Sequence, residues 1–498
     1  MLALSFYLAL LVVFLTIACY YKFLYRKRRD GEPPVVPGSF LFGNAGDFNK
    51  QAVQFLLDSR EKYGNIFTLR LLTQHMTIVM DPHSFENFSH ERNFDFDVIQ
   101  KQVNHNVFSF ELADAKRMLK EAGKTVKGKF LHRSMKLYSS HLQDAYNQIS
   151  HTDVNGNVLN GKPTDWKQIE LREMICKTLF TALFYTIFGK GNEHDVFKPL
   201  TVFKNFNQFH KYFNFLWLGF PVKMFPKALE ALKVLCQQPT SDEYLRREDI
   251  SDYIRFSTEF MLDHDQTEQD IIGHNLVYLH VNYNTFRMTC WAVYYLLENR
   301  LGLKALTEEI RNAIRKKIDD MGGIEEGESV PFNLEEVSSL PILDSVVKET
   351  LRISSGVFMV RGISEDTEFE MEDGSKYNLR KGEKVAVYPP ALHRDPEIFE
   401  SPNEYKYDRF VDAKFYKYGK EVKHPLLAFG SLCPGKRYAL TQAKWYLITL
   451  VHMFDMELLP GEATKEDTRY YGHEILPPTN DVQIQYRLKE NFHQLTFV

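Results

Sequence analysis

The sequence predicts a mainly α-helical fold with small β-sheets (α+β), preceded by an N-terminal transmembrane helix. Three observations carry that prediction. Apolar residues recur at helical spacing over long stretches, β-prone runs are short and gathered in a few patches, and the segment from Met1 to Tyr21 holds no charged residue.

About twenty apolar residues in a helix cross the hydrocarbon core of a bilayer, so residues 1–25 read as a membrane anchor. Lys22 and then Arg26, Lys27, Arg28 and Arg29 follow the apolar run, and such a cluster stays on the cytoplasmic side. A cleaved signal peptide would carry its positive charge before the apolar run. The basic cluster leads into Gly31-Glu32-Pro33-Pro34-Val35-Val36-Pro37-Gly38, where proline fixes φ and resists helix; residues 26–38 form a stiff elbow.

Beyond the elbow, Ile66 to Arg70 and His75 to Met80 are β-prone and suggest a hairpin. Helical spacing then dominates in Gln168 to Gly189, Asp270 to Asn299, Leu303 to Met321, Pro341 to Ser354 and Tyr438 to Phe454. Between the last two lies a second β-prone patch: Phe358 to Arg361, Thr367 to Glu370, the turn Asp373-Gly374, and Lys384 to Tyr388. No repeat, low-complexity tract or linker divides residues 39–498, which read as a single domain.

A hydrophobic content of 44% suits a large buried core, and 61 basic against 65 acidic residues leave no field that would hold nucleic acid. Of the five cysteines (Cys19, Cys176, Cys236, Cys290 and Cys433) no two stand at C-x-x-C spacing, which disfavours a disulfide framework or a zinc site. Cys176, Cys236 and Cys290 lie in helix-like apolar stretches, where a free cysteine acts as a small hydrophobe. Cys433 differs. It sits in the loop Phe429-Gly430-Ser431-Leu432-Cys433-Pro434-Gly435, which runs directly into an apolar helix. Unpaired N–H groups and the positive end of a helix dipole favour a thiolate there, and a thiolate is the form that ligates iron.

Two other patterns accompany it. Glu349 and Arg352, at i and i+3, share one helix face. Downstream, His393-Arg394-Asp395-Pro396 precedes Tyr407-Asp408-Arg409-Phe410 in an aromatic, proline-interrupted stretch. In that order and spacing, the E-x-x-R helix, the Asp408-Arg409-Phe410 segment and the C-x-G-x-x-x-A loop resemble the cytochrome P-450 superfamily. The likeness runs from the anchor and elbow to Asp481–Tyr486. Lys62 to Thr68, Phe94 to Asp97, Pro341 to Val347 and Phe415 to Lys420 are similar to the branch holding prostacyclin synthase and the sterol 12α- and 7α-hydroxylases.

The resemblance implies that residues 39–498 form a haem-thiolate catalytic domain. It makes Cys433 the axial ligand of the iron of haem b (iron protoporphyrin IX), Arg361 a propionate partner and Lys127 a weaker one. Glu349, Arg352 and Arg409 would form a buried charged triad. An anchored, cytosol-facing body at the endoplasmic reticulum membrane, single-pass, is expected, with O2, a sterol or other lipid substrate, and NADPH electrons through a flavoprotein reductase.

Two departures matter. Phe429 to Cys433 is four steps where the family takes seven, so the loop turns more tightly and lacks a glycine at its close approach. In the long helix expected over the distal haem face, Val281-Asn282-Tyr283-Asn284-Thr285 puts an amide, Asn284, where most members place an acid. An amide hydrogen-bonds an oxygen or a water but cannot relay a proton by ionising. Thr285 leans toward hydroxylation, with Asn284 and Thr285 as the catalytic candidates. Two other readings stay open: an endoperoxide isomerase using no external electrons, and a haem-free lipid-binding pseudoenzyme.

Overall fold

The computed structural model describes residues 26–151, 164–192, 194–325, 328–430, 433–470 and 474–498. The expected spanning helix, residues 1–25, lies outside them; among the described residues no helix is long and apolar enough to cross a membrane. The chain gathers into two compact units. The first takes the chain to Ile99 with Gly356–Pro402 and Phe415–Leu427; the second takes Gln100–Ser355, Asn403–Lys414 and Ala428–Val498.

The first unit is built on a five-stranded sheet. Its strands are β1 (Ile66–Leu71), β2 (Gln74–Val79), β3 (Phe94–Asp95), β4 (Met359–Ile363) and β5 (Lys384–Val387), in the spatial order β1-β2-β5-β4-β3. β1 and β2 make the predicted hairpin, with Thr68 opposite Thr77 and their buried hydroxyls 2.9 Å apart. The second β-prone patch divides: β4 and β5 enter the sheet, while Thr367–Glu370 and Lys376–Leu379 form a separate hairpin. Its turn needs Gly374, whose φ is 83°. Ile66, Val79, Phe85, Phe88, Met359 and Val385 pack as the core beneath the sheet.

The elbow is fastened to this unit. Buried Glu32 forms an ion pair with Arg26 at 3.2 Å and accepts from Arg380 at 2.5 Å, Arg26 reaches Glu383 at 2.6 Å, and Val36 N–H bonds the Thr68 carbonyl at 2.9 Å. The prolines withhold N–H groups that an extended strut does not need.

Asp395 anchors the loop after the short helix Pro389–His393. It accepts from Arg60 at 2.7 Å and from the fully buried Lys417 ammonium. Burial alone pushes the Asp395 carboxyl up, but Lys417 and Arg60 outweigh it and hold the group below its ordinary value. A carboxyl lowered on folding contributes stability that is present above its unfolded value, near pH 4, and lost as pH falls through the lowered folded one. Asp395→Asn leaves the buried Lys417 ammonium to the exposed Glu397 carboxylate, 2.8 Å away, and is expected to cost about 2 kcal/mol at neutral pH. Urea unfolding of both proteins should show that difference shrinking below about pH 4.

The helices of the second unit used below are α2 (Gly128–His151), α3 (Pro199–His210), α4 (Glu268–Glu298), α5 (Pro341–Ser354) and α6 (Lys436–Met453). The first unit holds α1 (Ala45–Tyr63). α5 spans the residues expected of it because Pro341 occupies its first turn, where the missing N–H costs nothing. α4 starts at a capping box between Thr267 and Asp270 and is buried on nearly every side, as an all-round apolar helix must be. α5 and α6 pack against it and against each other. The expected helix over Gln168–Gly189 begins instead as a strand, Lys167–Glu170, which pairs with Gln483–Leu488, itself paired with Phe454–Leu458. Leu171–Phe188 is helical and contains one wide π turn, Cys176–Phe180.

Candidate active site

α5 carries a charged cluster in the core. Glu349 and Arg352 are both fully buried and meet as a fork: Arg352 Nε to Oε2 at 2.7 Å and Nη2 to Oε1 at 2.8 Å. Arg409 Nε donates to Oε1 at 2.9 Å, and Lys406 N–H to the same oxygen at 3.1 Å. Both guanidiniums also donate to the Glu404 carbonyl, and Phe410 N–H bonds Ser345 Oγ at 2.9 Å. One carboxylate therefore fastens the irregular segment 404–410 to α5.

Cys433 stands two residues before Gly435, the residue capping α6, and is the exposed one among the four described cysteines. Its thiol is set among enough protein that burial pushes it up. The N–H groups of Gly435 and Lys436, with the Lys436 ammonium, pull it down without cancelling that effect. The helix-terminus groups expected to favour a thiolate are thus in place, and burial outweighs them. Cys176 and Cys290 are buried, and burial pushes the Cys290 thiol up to about 12. Cys236 is half-buried and also raised.

On α4, every residue from Gly273 to Leu297 is buried except Val277, Val281 and Asn284. These stand at i, i+4 and i+7, so they form one stripe on one face. Val281 is 48% exposed in the middle of an otherwise buried helix, so the stripe faces open space. Asn284 lies on that stripe. Thr285, one step round, is 3% exposed, and its carbonyl accepts from Thr289 Oγ1 at 2.8 Å.

Tyr283 and Arg287 point away from the stripe. Burial pushes the Tyr283 hydroxyl up to about 12, and it donates to Asn207. The Arg287 guanidinium lies 4.9 Å from the Tyr283 ring and donates to the Ile475 carbonyl at 3.2 Å.

Arg361 belongs to β4 in the first unit. It is 8% exposed, lies 4.9 Å from the Phe96 ring, and donates to the Val360 carbonyl at 2.9 Å. Burial lowers its pKa, with Asp95 opposing. A guanidinium has five N–H donors, so the fork retains capacity for an anion. Lys127 is exposed just before α2.

In the second unit, the accessible Cys433 thiol with backbone N–H groups turned to it and the open stripe on α4 fit a haem. In the first, the buried Arg361 guanidinium has the donor chemistry that a propionate takes. His210 and His280, which meet beside Arg287, were not indicated by the sequence. They are 70 residues apart and only the fold joins them.

The family model for cytochrome P450 matches residues 33–484. Among curated proteins, cytochrome P450 7A1 of Sus scrofa is 29% identical over 495 residues, covering 93% of this chain and 95% of its own. Cholesterol 7-alpha-monooxygenase of Cricetulus griseus is 27% identical, with 93% and 95% covered. The 7-alpha-hydroxycholest-4-en-3-one 12-alpha-hydroxylase of Homo sapiens is 28% identical, with 96% and 97% covered.

Proposed function

This chain belongs to the cytochrome P450 family of haem oxidoreductases, which take NADPH electrons through a reductase; from that premise we propose that it inserts one atom of O2 into a sterol-like or other lipid substrate. The observation that carries this reading is the accessible thiol of Cys433 at the head of α6, in a chain that aligns end to end with proteins named as sterol hydroxylases. Haem, when bound, supplies an iron at which O2 is reductively activated.

Cys433 would hold that iron, and Arg361 and Lys127 would pair with propionates. Asn284, on the open stripe, donates an amide N–H to a water or a substrate oxygen, and the Thr285 hydroxyl beside it passes a proton. Glu349, Arg352 and Arg409 keep segment 404–410 fixed to α5. Lys129, Arg133 and Lys136, at i, i+4 and i+7, form an exposed basic row on α2 that suits an acidic reductase face. Residues 39–498 act as one catalytic domain, held at the endoplasmic reticulum membrane by residues 1–25 through the elbow 26–38.

The test is an absorbance spectrum of the reduced, carbon-monoxide-treated protein, with turnover measured with and without reductase and NADPH. A Soret band and turnover that needs both additions support the proposal. Turnover of an endoperoxide without them makes the chain an isomerase, and no Soret band makes it a haem-free lipid binder. Asn284→Leu removes the one polar group from the stripe. It is expected to lower product formed per NADPH oxidised about 10²-fold, the scale of a lost active-site hydrogen-bond donor, while the spectrum stays unchanged.

A further inference from the structure

The first unit presents three consecutive large apolar residues at its surface. Phe40, Leu41 and Phe42 are 52%, 58% and 58% exposed, at the tip of a short loop that joins the elbow to α1. The loop is closed at its base, where Ser39 and Gly43 exchange N–H to carbonyl bonds of 2.8 and 2.9 Å. Gly43 has a φ of 62°, and a Cβ there would fall 2.1 Å from the Arg70 carbonyl oxygen, so only glycine closes the loop against β1.

Arg70, on β1, holds the loop from beneath. Its Nη2 donates to the carbonyls of Ser39 at 2.5 Å and Phe40 at 2.8 Å, and its Nη1 to those of Leu41 at 3.2 Å and Leu72 at 2.9 Å. The Phe42 carbonyl accepts from Leu72 N–H at 3.2 Å, and that of Gly43 from Ser39 N–H. Every carbonyl from Ser39 to Gly43 therefore has a donor within the protein. In water an exposed turn leaves its carbonyls to the solvent, and no such arrangement is needed. A hydrocarbon phase demands it, because an unpaired peptide carbonyl is costly there.

We propose that loop 39–43 is a second membrane contact, in which Phe40, Leu41 and Phe42 enter the boundary between headgroups and acyl chains of a lipid bilayer and Arg70 makes the loop insertable by satisfying its carbonyls. The contact is additional to residues 1–25 and rests on the reading that they hold the chain at a membrane. Two further observations select lipid over a protein partner. The apolar face is a single tripeptide, whereas a stable protein interface takes about 20–30 residues a side. The loop also begins directly after the elbow, which Glu32 and Val36 fasten to this unit, and ahead of the elbow runs the uncharged stretch Met1 to Tyr21. Exposed Lys27, Arg28 and Arg29 stand between the two and suit anionic headgroups.

The test uses the full chain in phosphatidylcholine vesicles containing a trace of phosphatidylcholine with a diazirine in its acyl chain. The vesicles are floated and irradiated, and lipid adducts are mapped by mass spectrometry. Adducts are expected on 40–42 as well as within 1–25, and those within 1–25 serve as an internal standard. Against that standard, Leu41→Asp and Arg70→Met should each lower the yield on 40–42 at least about 5-fold. Arg70→Lys, which keeps three donors, should recover part of it. Leu41→Asp changes only the exposed tip, so it keeps the test open if loss of Arg70 misfolds the loop. A chain that floats with adducts confined to 1–25 overturns the loop contact and leaves the anchor standing, as does a loop that crosslinks to a second copy instead of lipid. Adducts on 40–42 with none in 1–25 support the loop and defeat the anchor. A chain that does not float defeats both, and an undiminished yield in folded Arg70→Met overturns the part assigned to Arg70.

Discussion

Cys433→Ala is expected to abolish the thiolate-type Soret band of the reduced carbon-monoxide complex and to lower product formation at least about 10³-fold, roughly 4 kcal/mol in the barrier. The reasoning starts from accessibility. Cys176 and Cys290 are buried, Cys236 is half-buried, and all three are held as thiols by burial. Cys433 alone among the described cysteines combines exposure with N–H groups turned to its sulfur. A thiol ligates iron only as the thiolate, so incorporation of haem should release acid. Cys433→Ser is no rescue, because a serine hydroxyl lacks the soft, electron-releasing sulfur. Cys236→Ala should leave the spectrum intact. A retained thiolate band in Cys433→Ala would refute the ligand assignment.

How much of this was legible beforehand follows from which interactions are local. α5 was readable to its ends because its signals, Pro341 and the spacing of Leu343, Val346, Val347 and Leu351, lie within fourteen residues. α4 was readable for the same reason. α2 was not, although Leu131, Met135, Tyr138, Leu142 and Tyr146 make a buried stripe, because serines, histidines and a lysine dilute it. α1 was missed where Gln51, at φ −151°, breaks the helix. Lys167–Glu170 carries a polar pattern, and its strand exists only through Gln483–Tyr486, more than 300 residues on. At the site, motif order singled out Glu349, Arg352, Arg409 and Cys433. It could not sort Asn284 from Thr285, because exposure along α4 depends on what the neighbouring elements leave uncovered. The His210–His280 contact left no trace in any window of sequence.

Glu349→Gln is expected to destabilise the protein by about 3–5 kcal/mol, a large share of a stability of roughly 5–15 kcal/mol for a folded domain. The change is nearly isosteric, so packing is not the cause. Arg352 and Arg409, with side chains 0% and 6% exposed, lose the carboxylate they share, and two like charges stay close together in the protein interior. The Glu404 carbonyl accepts from both at 3.2 and 3.0 Å but carries no charge to offset them. Removing Arg409 as well should then recover part of the loss. In a cycle with Arg409→Gln, the double variant is expected to be more stable than the sum of the singles by about 1–3 kcal/mol. Arg352→Lys does not substitute, since an ammonium cannot make both arms of the fork to Glu349. Local exchange should show 404–410 opening before α5 itself, because Lys406 N–H and Arg409 reach α5 through the Glu349 carboxylate. Additive effects in the cycle would mean that the three residues do not act as one charged unit, and the triad would lose its claim to fix that segment.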